Sequence, residues 1–504
     1  MTNLASNLPL VATIIYFTIV ALLSFLAIHR FVVARASWRH PWRESGPALL
    51  ERGSLPRVLL QLPLYNEAQV VGRLIDTAAK LSYPRDRLTI QVLDDSTDET
   101  VGIAAEHVRR AREAGVDIHH IRRPNREGFK AGALAYGMEL NDAPYIAILD
   151  ADFLPQPDFI EQLVSDFRDH RVGAVQARWG HLNREDSFLT LGQGALLDGH
   201  FINEHGGRFA RDTFFNFNGT AGIWRRACIE DAGGWSGRTL TEDLDLSYRA
   251  QIKGWRFVFR PDVLVPAELP DDVNSFKVQQ HRWAKGSIET ALYVLPSLLT
   301  SKMVTFRQKY EAMAHLLGNF SYPLVILMGL LLPWVVQYRI MIPYAGLVDS
   351  LLFLSGPVIL YYLYGKATIL AGAPTKAWRS GLVALVLGTG LAINNTGALF
   401  EALMRRRTAF IRTPKKGEST TSSIKGILPQ FSVQACIELV LGLWILASGW
   451  LVLEHGRPAA LPLIALFSLG FLVLGFGSVY NSWRSYISTP ATRAQQVSSG
   501  EQPG

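Results

Sequence analysis

Residues 57–95 read "RVLLQLPLYNEAQVVGRLIDTAAKLSYPRDRLTIQVLDD", and this stretch decides the fold class. Its first and last apolar runs have the length and composition of buried strands, and the segment between them has the periodicity of an amphipathic helix. The same alternation continues through "DETVGIAAEHVRRAREAG", "DIHHIRR", "KAGALAYGMEL" and "PYIAILDAD". Repeated strand–helix units predict an α/β domain with a mostly parallel, Rossmann-like sheet.

Acidic pairs follow two of the predicted strands: Asp94 with Asp95, and Asp150 with Asp152. In parallel sheets, ligands bind at the carboxyl ends of the strands. Carboxylates two positions apart on an extended stretch point the same way, and their repulsion is costly unless a cation lies between them. Mg²⁺ or Mn²⁺, completed by phosphate oxygens, would remove this cost. Taken alone, the second pair also fits a solvated acidic turn.

Three later segments add to this pattern. "TEDLDL" places Glu242, Asp243 and Asp245 after a potential N-cap, Thr241, where the helix dipole alone could explain the acids. The glycine-rich "FNGTAGIWRRACIEDAGGW" permits close backbone approach and offers aromatic surface for a sugar. "QQHRW" at 279–283 lies about 30 residues before a long apolar run, where an interfacial anchor is the alternative interpretation.

Long apolar runs bracket the central domain of this 504-residue chain, in which hydrophobic residues make up 49%. Runs of about 20 residues are long enough to cross a bilayer. Arginines after the first run place its carboxyl side in the cytosol and argue against a cleaved signal peptide. The predicted spans are 8–28, 312–337, 341–365, 431–453 and 458–480.

A sixth run, residues 381–407, is interrupted at Asn394 and Asn395 and is short for a span, so it predicts an interfacial or re-entrant helix. The resulting domains are an N-terminal transmembrane helix, a cytosolic α/β domain, a transmembrane region with interface helices and a loop at 404–417, and a disordered cytosolic tail. Their ranges are 1–35, 50–290, 291–483 and 484–504. This organisation predicts a multi-pass protein of a bacterial inner membrane or a plasma membrane.

The formal charge of +7 does not indicate nucleic-acid binding, because the basic residues gather beside apolar runs. Such clusters set membrane orientation and meet anionic lipid headgroups, so the lipid bilayer is the predicted partner. Cys228 and Cys436 lie far apart without metal-ligand spacing. They predict neither a disulfide framework nor a zinc site.

In order, "LDDSTDET", "LDADF", "TEDLDL" and "QQHRW" resemble the D, D, D, QxxRW pattern of membrane-embedded family 2 glycosyltransferases of the cellulose synthase superfamily. "QLPLYNE", "REGFKAGAL" and "FNGTAGIWR" are most similar to cellulose-synthase-like A and C proteins, which make mannan or glucan backbones, and to their bacterial relatives. The resemblance covers residues 57–290 densely. It implies a GT-A fold for the catalytic domain and a nucleotide sugar as donor.

The resemblance also implies roles for individual residues. Pro63, Tyr65, Glu67 and Asp95 would line the base and ribose. Lys130, Gln279 and Arg282 would contact the diphosphate, which Asp150 and Asp152 would hold through Mg²⁺ or Mn²⁺. Asp243 would be the catalytic base, and Trp283 would present a flat apolar face to the terminal sugar of the acceptor.

Residues 410–417, "FIRTPKKG", resemble the FxVTxKG gating loop of cellulose synthases. Thr413 and Lys415 would contact substrate by this resemblance, together with Phe410. Arg412 replaces the valine, and Pro414 precedes the lysine and stiffens the backbone. No RxxxR and DxSxxG pair of a PilZ domain occurs, so control by cyclic-di-GMP through such a domain is not expected.

These features predict a processive, inverting glycosyltransferase that polymerises a nucleotide-activated hexose into a β-linked glucan or mannan and secretes it. The predicted donors are UDP-glucose and GDP-mannose, and the acceptor is the growing polysaccharide. The alternative is a non-processive membrane enzyme that glycosylates ceramide or a polyprenyl lipid. A third class, a transporter or receptor with a nucleotide-binding domain, would give the paired aspartates and Trp283 no chemical role.

Overall fold

The computed structural model describes residues 2–40, 42, 48–338, 347, 350, 351, 354–406, 428–454 and 458–487. Within these ranges, seven strands form one sheet in the order β3-β2-β1-β4-β6-β5-β7. Strand β6 is antiparallel to both of its neighbours, and the other pairs are parallel. The strands are β1 Val58–Leu64, β2 Leu88–Asp94, β3 Ile118–Ile121, β4 Tyr145–Ile148, β5 Val172–His181, β6 Gly222–Arg225 and β7 Arg256–Ala267.

The predicted mostly parallel sheet is confirmed, and strands β1 to β4 lie where the apolar runs indicated them. Alternate residues of a strand face opposite sides of the sheet. Accordingly, Leu60 and Leu62 pack into one buried cluster, whereas Leu59 packs into a second cluster with Trp224. Helices cover both faces: α2 Val71–Ala78, α3 Thr100–Glu113, α4 Phe129–Glu139, α5 Phe159–Val164, α7 Gly206–Ala210, α8 Arg226–Asp231 and α9 Glu242–Ile252. Helix α6, Phe188–Asp198, packs instead against apolar helices later in the chain.

Apolar helices flank this sheet domain on both sides in the chain. They are α1 Thr2–Arg39, α12 Ser321–Tyr338, α13 Ile359–Leu370, α14 Ala377–Gly390, α15 Ala392–Leu403, α16 Leu428–Glu454 and α17 Leu461–Ile487. Two further helices, α10 Val273–Thr300 and α11 Phe306–Leu316, join them to the sheet domain.

Among the described residues, four segments are long and apolar enough to cross a membrane: Leu10–Arg39, Gly318–Val335, Val433–Glu454 and Leu461–Arg484. They coincide with four of the predicted spans. The fifth predicted span, 341–365, lies only partly within the described residues. One bent pair, Pro374–Gly390 with Ala392–Leu403 at 47°, could be a fifth crossing or a re-entrant segment. Its orientation, and the cytosolic side of each span, stay predictions.

The break in this bent pair lies before the two asparagines that interrupt the apolar run. The helices part at Leu391, whereas Asn394 and Asn395 lie inside α15 and are buried. The Asn394 side-chain amide donates a hydrogen bond to the carbonyl oxygen of Lys277 at 3.0 Å. Packing against α10 satisfies this polar group, so the asparagines do not end the helix.

Two predicted features lie largely outside the described residues. Of the loop at 404–417, the structure describes residues 404–406, so nothing tests the roles of Phe410, Thr413 and Lys415. Helix α17 continues to Ile487, slightly beyond the predicted start of the tail, and residues 488–504 are not described.

Candidate active site

A cavity of about 200 Å³ opens at the carboxyl ends of the parallel strands. Every residue predicted for the site that the structure describes lines this cavity. These residues come from three strand ends, the starts of α4 and α9, and one face of α10. They are Pro63, Tyr65, Glu67, Asp95, Lys130, Asp150, Asp152, Asp243, Gln279, Arg282 and Trp283.

The sequence analysis did not single out two arginines near β1 and β2: Arg126, which lines the cavity, and Arg123, which holds the cavity residue Asp95. The guanidinium of Arg126 lies 3.2 Å from the centre of the Tyr65 ring, an arrangement that favours cation–π attraction. Arg123 donates two hydrogen bonds to Asp95, at 2.8 and 2.6 Å. The basic stretch "IRRPNRE", which follows β3 at the ligand-binding edge of the sheet, was the available signal.

Lys130 lies among carboxylates at the centre of the cavity. Its ammonium group donates hydrogen bonds to the Asp150 carboxylate and, at 2.9 Å, to the carbonyl oxygen of Gly219. Burial disfavours its charge, but Asp150, Glu242 and Asp243 outweigh burial and raise the pKa of Lys130. A positive charge is therefore maintained where a diphosphate would need one.

Gly219 shows why the glycine-rich segment is needed here. Its φ of +77° lies in the left-handed region that side-chain-bearing residues disfavour. A Cβ atom at this position would stand 3.1 Å from a carboxylate oxygen of Asp243 and 3.4 Å from the Lys130 ammonium nitrogen. The glycine therefore keeps open the space between the two charged groups.

Asp243 lies in the first turn of α9, directly after its first residue, and lines the cavity. Burial and the neighbouring Glu242 carboxylate raise the pKa of Asp243 to about 7, although Lys130 acts in the opposite direction. A carboxyl group with this pKa can exchange a proton near neutral pH, which a general base requires.

Thr241 occupies the predicted N-cap position, but its side chain makes no capping hydrogen bond. It packs instead against α10, where a Cβ on Gly286 would come within 2.5 Å of the threonine hydroxyl oxygen. The predicted N-cap position is therefore confirmed, although the side chain contacts α10 and does not cap the helix.

Asp150 and Asp152 provide carboxylate oxygens on one wall of the cavity. The backbone amide of Asp150 donates to the Thr220 hydroxyl at 2.8 Å, and that of Glu268 donates to the Asp152 carboxylate at 3.3 Å. Within the described part of the chain, no group of three or more His, Cys, Asp or Glu side chains is placed to hold a metal ion. Two carboxylates completed by substrate phosphates suit Mg²⁺ or Mn²⁺, so these residues fit the predicted cation.

One face of α10 closes the cavity with Gln279, Arg282 and Trp283. The Trp283 ring lies 6.4 Å, centre to centre, from the ring of Trp179, which stands near the carboxyl end of β5. Burial lowers the pKa of Arg282, although surrounding carboxylates oppose this shift. Trp179 was not predicted, and it extends the flat apolar surface that a sugar ring could use.

Two further cavities adjoin the active-site cavity on the side of the apolar helices. The middle cavity, about 320 Å³, shares Asp243, Gln279 and Trp283 with the active-site cavity. The membrane cavity, about 340 Å³, is bordered by apolar helices including α1, α12 and α17, and it shares Arg30 and Glu204 with the middle cavity. The lining is therefore continuous from the catalytic candidate to the membrane helices.

Comparison with known proteins places this geometry in a family. Residues 56–286 match the model "Glycosyltransferase like family 2". Over 458 residues, the chain is 32% identical to "Probable glucomannan 4-beta-mannosyltransferase 11" of Arabidopsis thaliana, an alignment that covers 85% of this chain and 99% of that protein. The chain belongs to glycosyltransferase family 2.

Other family 2 relatives support the predicted resemblance to cellulose-synthase-like proteins. "Glucomannan 4-beta-mannosyltransferase 1" of Oryza sativa subsp. japonica is 32% identical, with coverage of 85% of this chain and 84% of the relative. "Probable glucomannan 4-beta-mannosyltransferase 10" of Arabidopsis thaliana is 43% identical over 260 residues, which span 50% of this chain and about half of that relative, 47%.

A solved structure supports the predicted GT-A fold. It is "Mannosyltransferase PcManGT from Pyrobaculum calidifontis in complex with GDP-Man and Mn2+", with a TM-score of 0.52 and 19% identity. The match covers 79% of this chain and all of the other, 100%. At this identity the likeness concerns the fold. The predicted enzyme class, a glycosyltransferase, is confirmed by the family match.

Proposed function

We propose that this family 2 glycosyltransferase polymerises mannose from GDP-mannose into a β-1,4-linked chain and passes the chain into its membrane cavities. The continuous lining from Asp243 to the apolar helices is the observation that carries the proposal. The choice of mannose rests on the relatives that are named glucomannan 4-beta-mannosyltransferases. UDP-glucose, the other predicted donor, is the competing substrate.

The chemistry follows from the groups around the cavity. Asp243 accepts the proton of the acceptor hydroxyl, whose oxygen attacks the anomeric carbon of the donor sugar. The bond between that carbon and the diphosphate oxygen breaks, and a single displacement inverts the anomeric configuration. Lys130 and Arg282 offset the negative charge of the leaving diphosphate. Mg²⁺ or Mn²⁺ bound by Asp150 and Asp152 would supply further charge neutralisation there.

Trp283 and Trp179 would hold the terminal sugar of the acceptor beside Asp243, since both rings line the active-site and middle cavities. Beyond them, polar side chains lie where the middle and membrane cavities meet. The Arg30 Nε donates to the Glu204 carboxylate at 3.0 Å, and Asn319, Tyr322 and Tyr364 line the same junction. These groups can exchange hydrogen bonds with the hydroxyls of a neutral glycan.

The decisive test supplies purified protein in lipid nanodiscs with GDP-mannose, UDP-glucose or UDP-N-acetylglucosamine separately. We expect GDP-mannose to yield a polymer that β-1,4-mannanase degrades. A polymer made from UDP-glucose instead would overturn the donor assignment. Transfer of one sugar to a lipid, without chain growth, would overturn processive synthesis and favour the lipid-acceptor alternative.

Gly388 offers a specific test of the route for the product. It lies on α14 and borders both the middle and membrane cavities, and a Cβ atom added to it would meet no neighbouring atom within 4 Å. Gly388→Trp should obstruct the route, so products should become much shorter while GDP affinity stays at the parental value. Gly388→Ala is the matched control, because one methyl group fits the open space. Parental chain length in the tryptophan variant would rule out this route.

A further inference from the structure

Helix α10 carries two functional faces. Gln279, Arg282 and Trp283 point into the active-site cavity. Lys277, His281 and Lys285 are spaced by four residues and therefore form a stripe along another side of the helix. This basic stripe plays no part in the chemistry described above, yet it is buried against the helices that follow the sheet domain.

Lys277 connects α10 to three of these helices. Its ammonium group donates to the Glu438 carboxylate of α16 at 2.6 Å and to the Ser478 hydroxyl of α17 at 2.7 Å. The side chains of Lys277 and Glu438 are both fully buried, at 0% exposure. The backbone carbonyl of Lys277 also accepts the hydrogen bond from Asn394 of α15.

The other end of the stripe is bound to α15. His281 and Lys285 each contact the Glu401 carboxylate at 3.1 Å. Lys285 also donates at 2.7 Å to the carbonyl oxygen of Arg406, just beyond the end of α15. Two ion-paired attachments, eight residues apart, therefore flank the segment that carries Gln279, Arg282 and Trp283.

Such pairs are poorly explained by stability alone. Removing two charges from water is expensive, and well-packed apolar replacements are often equally stable or more so. A buried charge pair does, however, disfavour every position of α10 that would separate the two charges, because each would then be buried without a partner. One residue of slippage would rotate α10 by about 100° and shift it by about 1.5 Å along its axis. An error of about 1 Å can cost about 10²-fold in rate.

We propose that Lys277 with Glu438, and Lys285 with Glu401, are positioning residues that set the rotation and height of α10 and so place Arg282 beside the diphosphate and Trp283 beside the acceptor sugar. This inference rests on the proposed function, because it assumes that those two residues contact substrate. It extends that function by making catalytic geometry depend on contacts with membrane-side helices.

The test replaces the fully buried pair without leaving a single charge. Lys277→Met combined with Glu438→Met should fold with a melting temperature no lower than the parent, since both partners become apolar. We expect faster hydrogen exchange of residues 277–287, a decrease in turnover of about 10-fold or more, and a smaller decrease in GDP affinity, because Arg282 also contacts the diphosphate in the proposed function. The swapped pair, Lys277→Glu with Glu438→Lys, should recover part of the turnover because it restores the attraction. Lys253→Met, at an exposed ion pair, is the control and should match the parent.

Each result has a defined meaning. Parental turnover and parental hydrogen exchange in the double methionine variant would overturn the inference. A lower melting temperature with equal loss of GDP affinity and turnover would also overturn it, because the pair would then be merely structural. The donor that the parent uses serves for all variants, so a wrong sugar assignment does not affect the comparison. If the parent transfers no sugar, the proposed function fails, and hydrogen exchange alone decides the positioning claim.

Discussion

Asp243→Asn should lower turnover by about 10²-fold or more, because it removes the group that accepts the proton of the acceptor hydroxyl in the proposed mechanism. Asparagine has nearly the same size and occupies the same space beside Gly219. Binding of GDP and of the divalent cation should persist, since Asp150 and Asp152 are unchanged. The measurement pairs GDP titration with sugar incorporation on one preparation. Near-normal incorporation would move the base elsewhere.

The pH dependence gives an independent check of Asp243. Since the base must be deprotonated and its pKa is raised to about 7, kcat/KM of the parent should fall as the pH decreases below that value. Glu242→Gln removes a carboxylate that raises this pKa, so the acid limb should move to lower pH. An unshifted limb would mean that another group controls the profile.

The protonation of Asp243 should also make the stability of the folded protein depend on pH. A folded-state pKa of about 7, above the ordinary 3.8, means that the folded protein retains a proton that the unfolded chain releases between these pH values. Stability contributed by this group is therefore lost as the pH rises through that window. Asp243→Asn lacks this loss, so its melting temperature should improve relative to the parent as the pH is raised through the same window.

Of the neighbouring acids, Glu242 is the alternative base that remains available. Asp245, the other acid of the motif, is fully buried and paired with Arg238 and Arg249. Its carboxylate is therefore committed to a structural ion-pair cluster. If Asp243→Asn retained activity, Glu242→Gln should be the variant that loses it.

Asp152→Asn is expected to weaken divalent-dependent GDP binding by about 10- to 100-fold or more, since changes in groups that only support metal ligands already reach that range. The replacement removes one of the two charges that would hold the cation. GDP titrations with Mn²⁺, with Mg²⁺ and with a chelator would measure the effect.

Asp86→Asn is the matched control for this experiment, because Asp86 is mostly exposed and lies outside the cavity. It should bind GDP as the parent does under all three conditions. Tight GDP binding by the parent in the presence of chelator would show that the metal assignment is wrong, whatever the behaviour of the variant.

The amino-acid sequence by itself determined the α/β architecture and most of the candidate site. Strand and helix periodicities are local, and they placed β1, β2 and β4 correctly because both faces of these strands are buried. The edge strand β3 is partly exposed, and its place between two helical segments of the sequence indicated it. The acidic pairs could be assigned to one ligand-binding edge because the carboxyl ends of parallel strands meet there. The motif order then added Asp243, Gln279, Arg282 and Trp283, all of which line the same cavity.

Only the tertiary structure decided which side chains meet across long separations in the chain. Arg123 and Asp95 are 28 residues apart, and Lys277 and Glu438 are 161 apart, so no local pattern relates them. Likewise, Asn394 and Asn395 interrupt the apolar run in the sequence, but α10 supplies a partner for the Asn394 amide and both residues lie inside α15. Periodicity reports how a segment divides between core and surface, whereas the satisfaction of a buried polar group depends on which distant element packs against it.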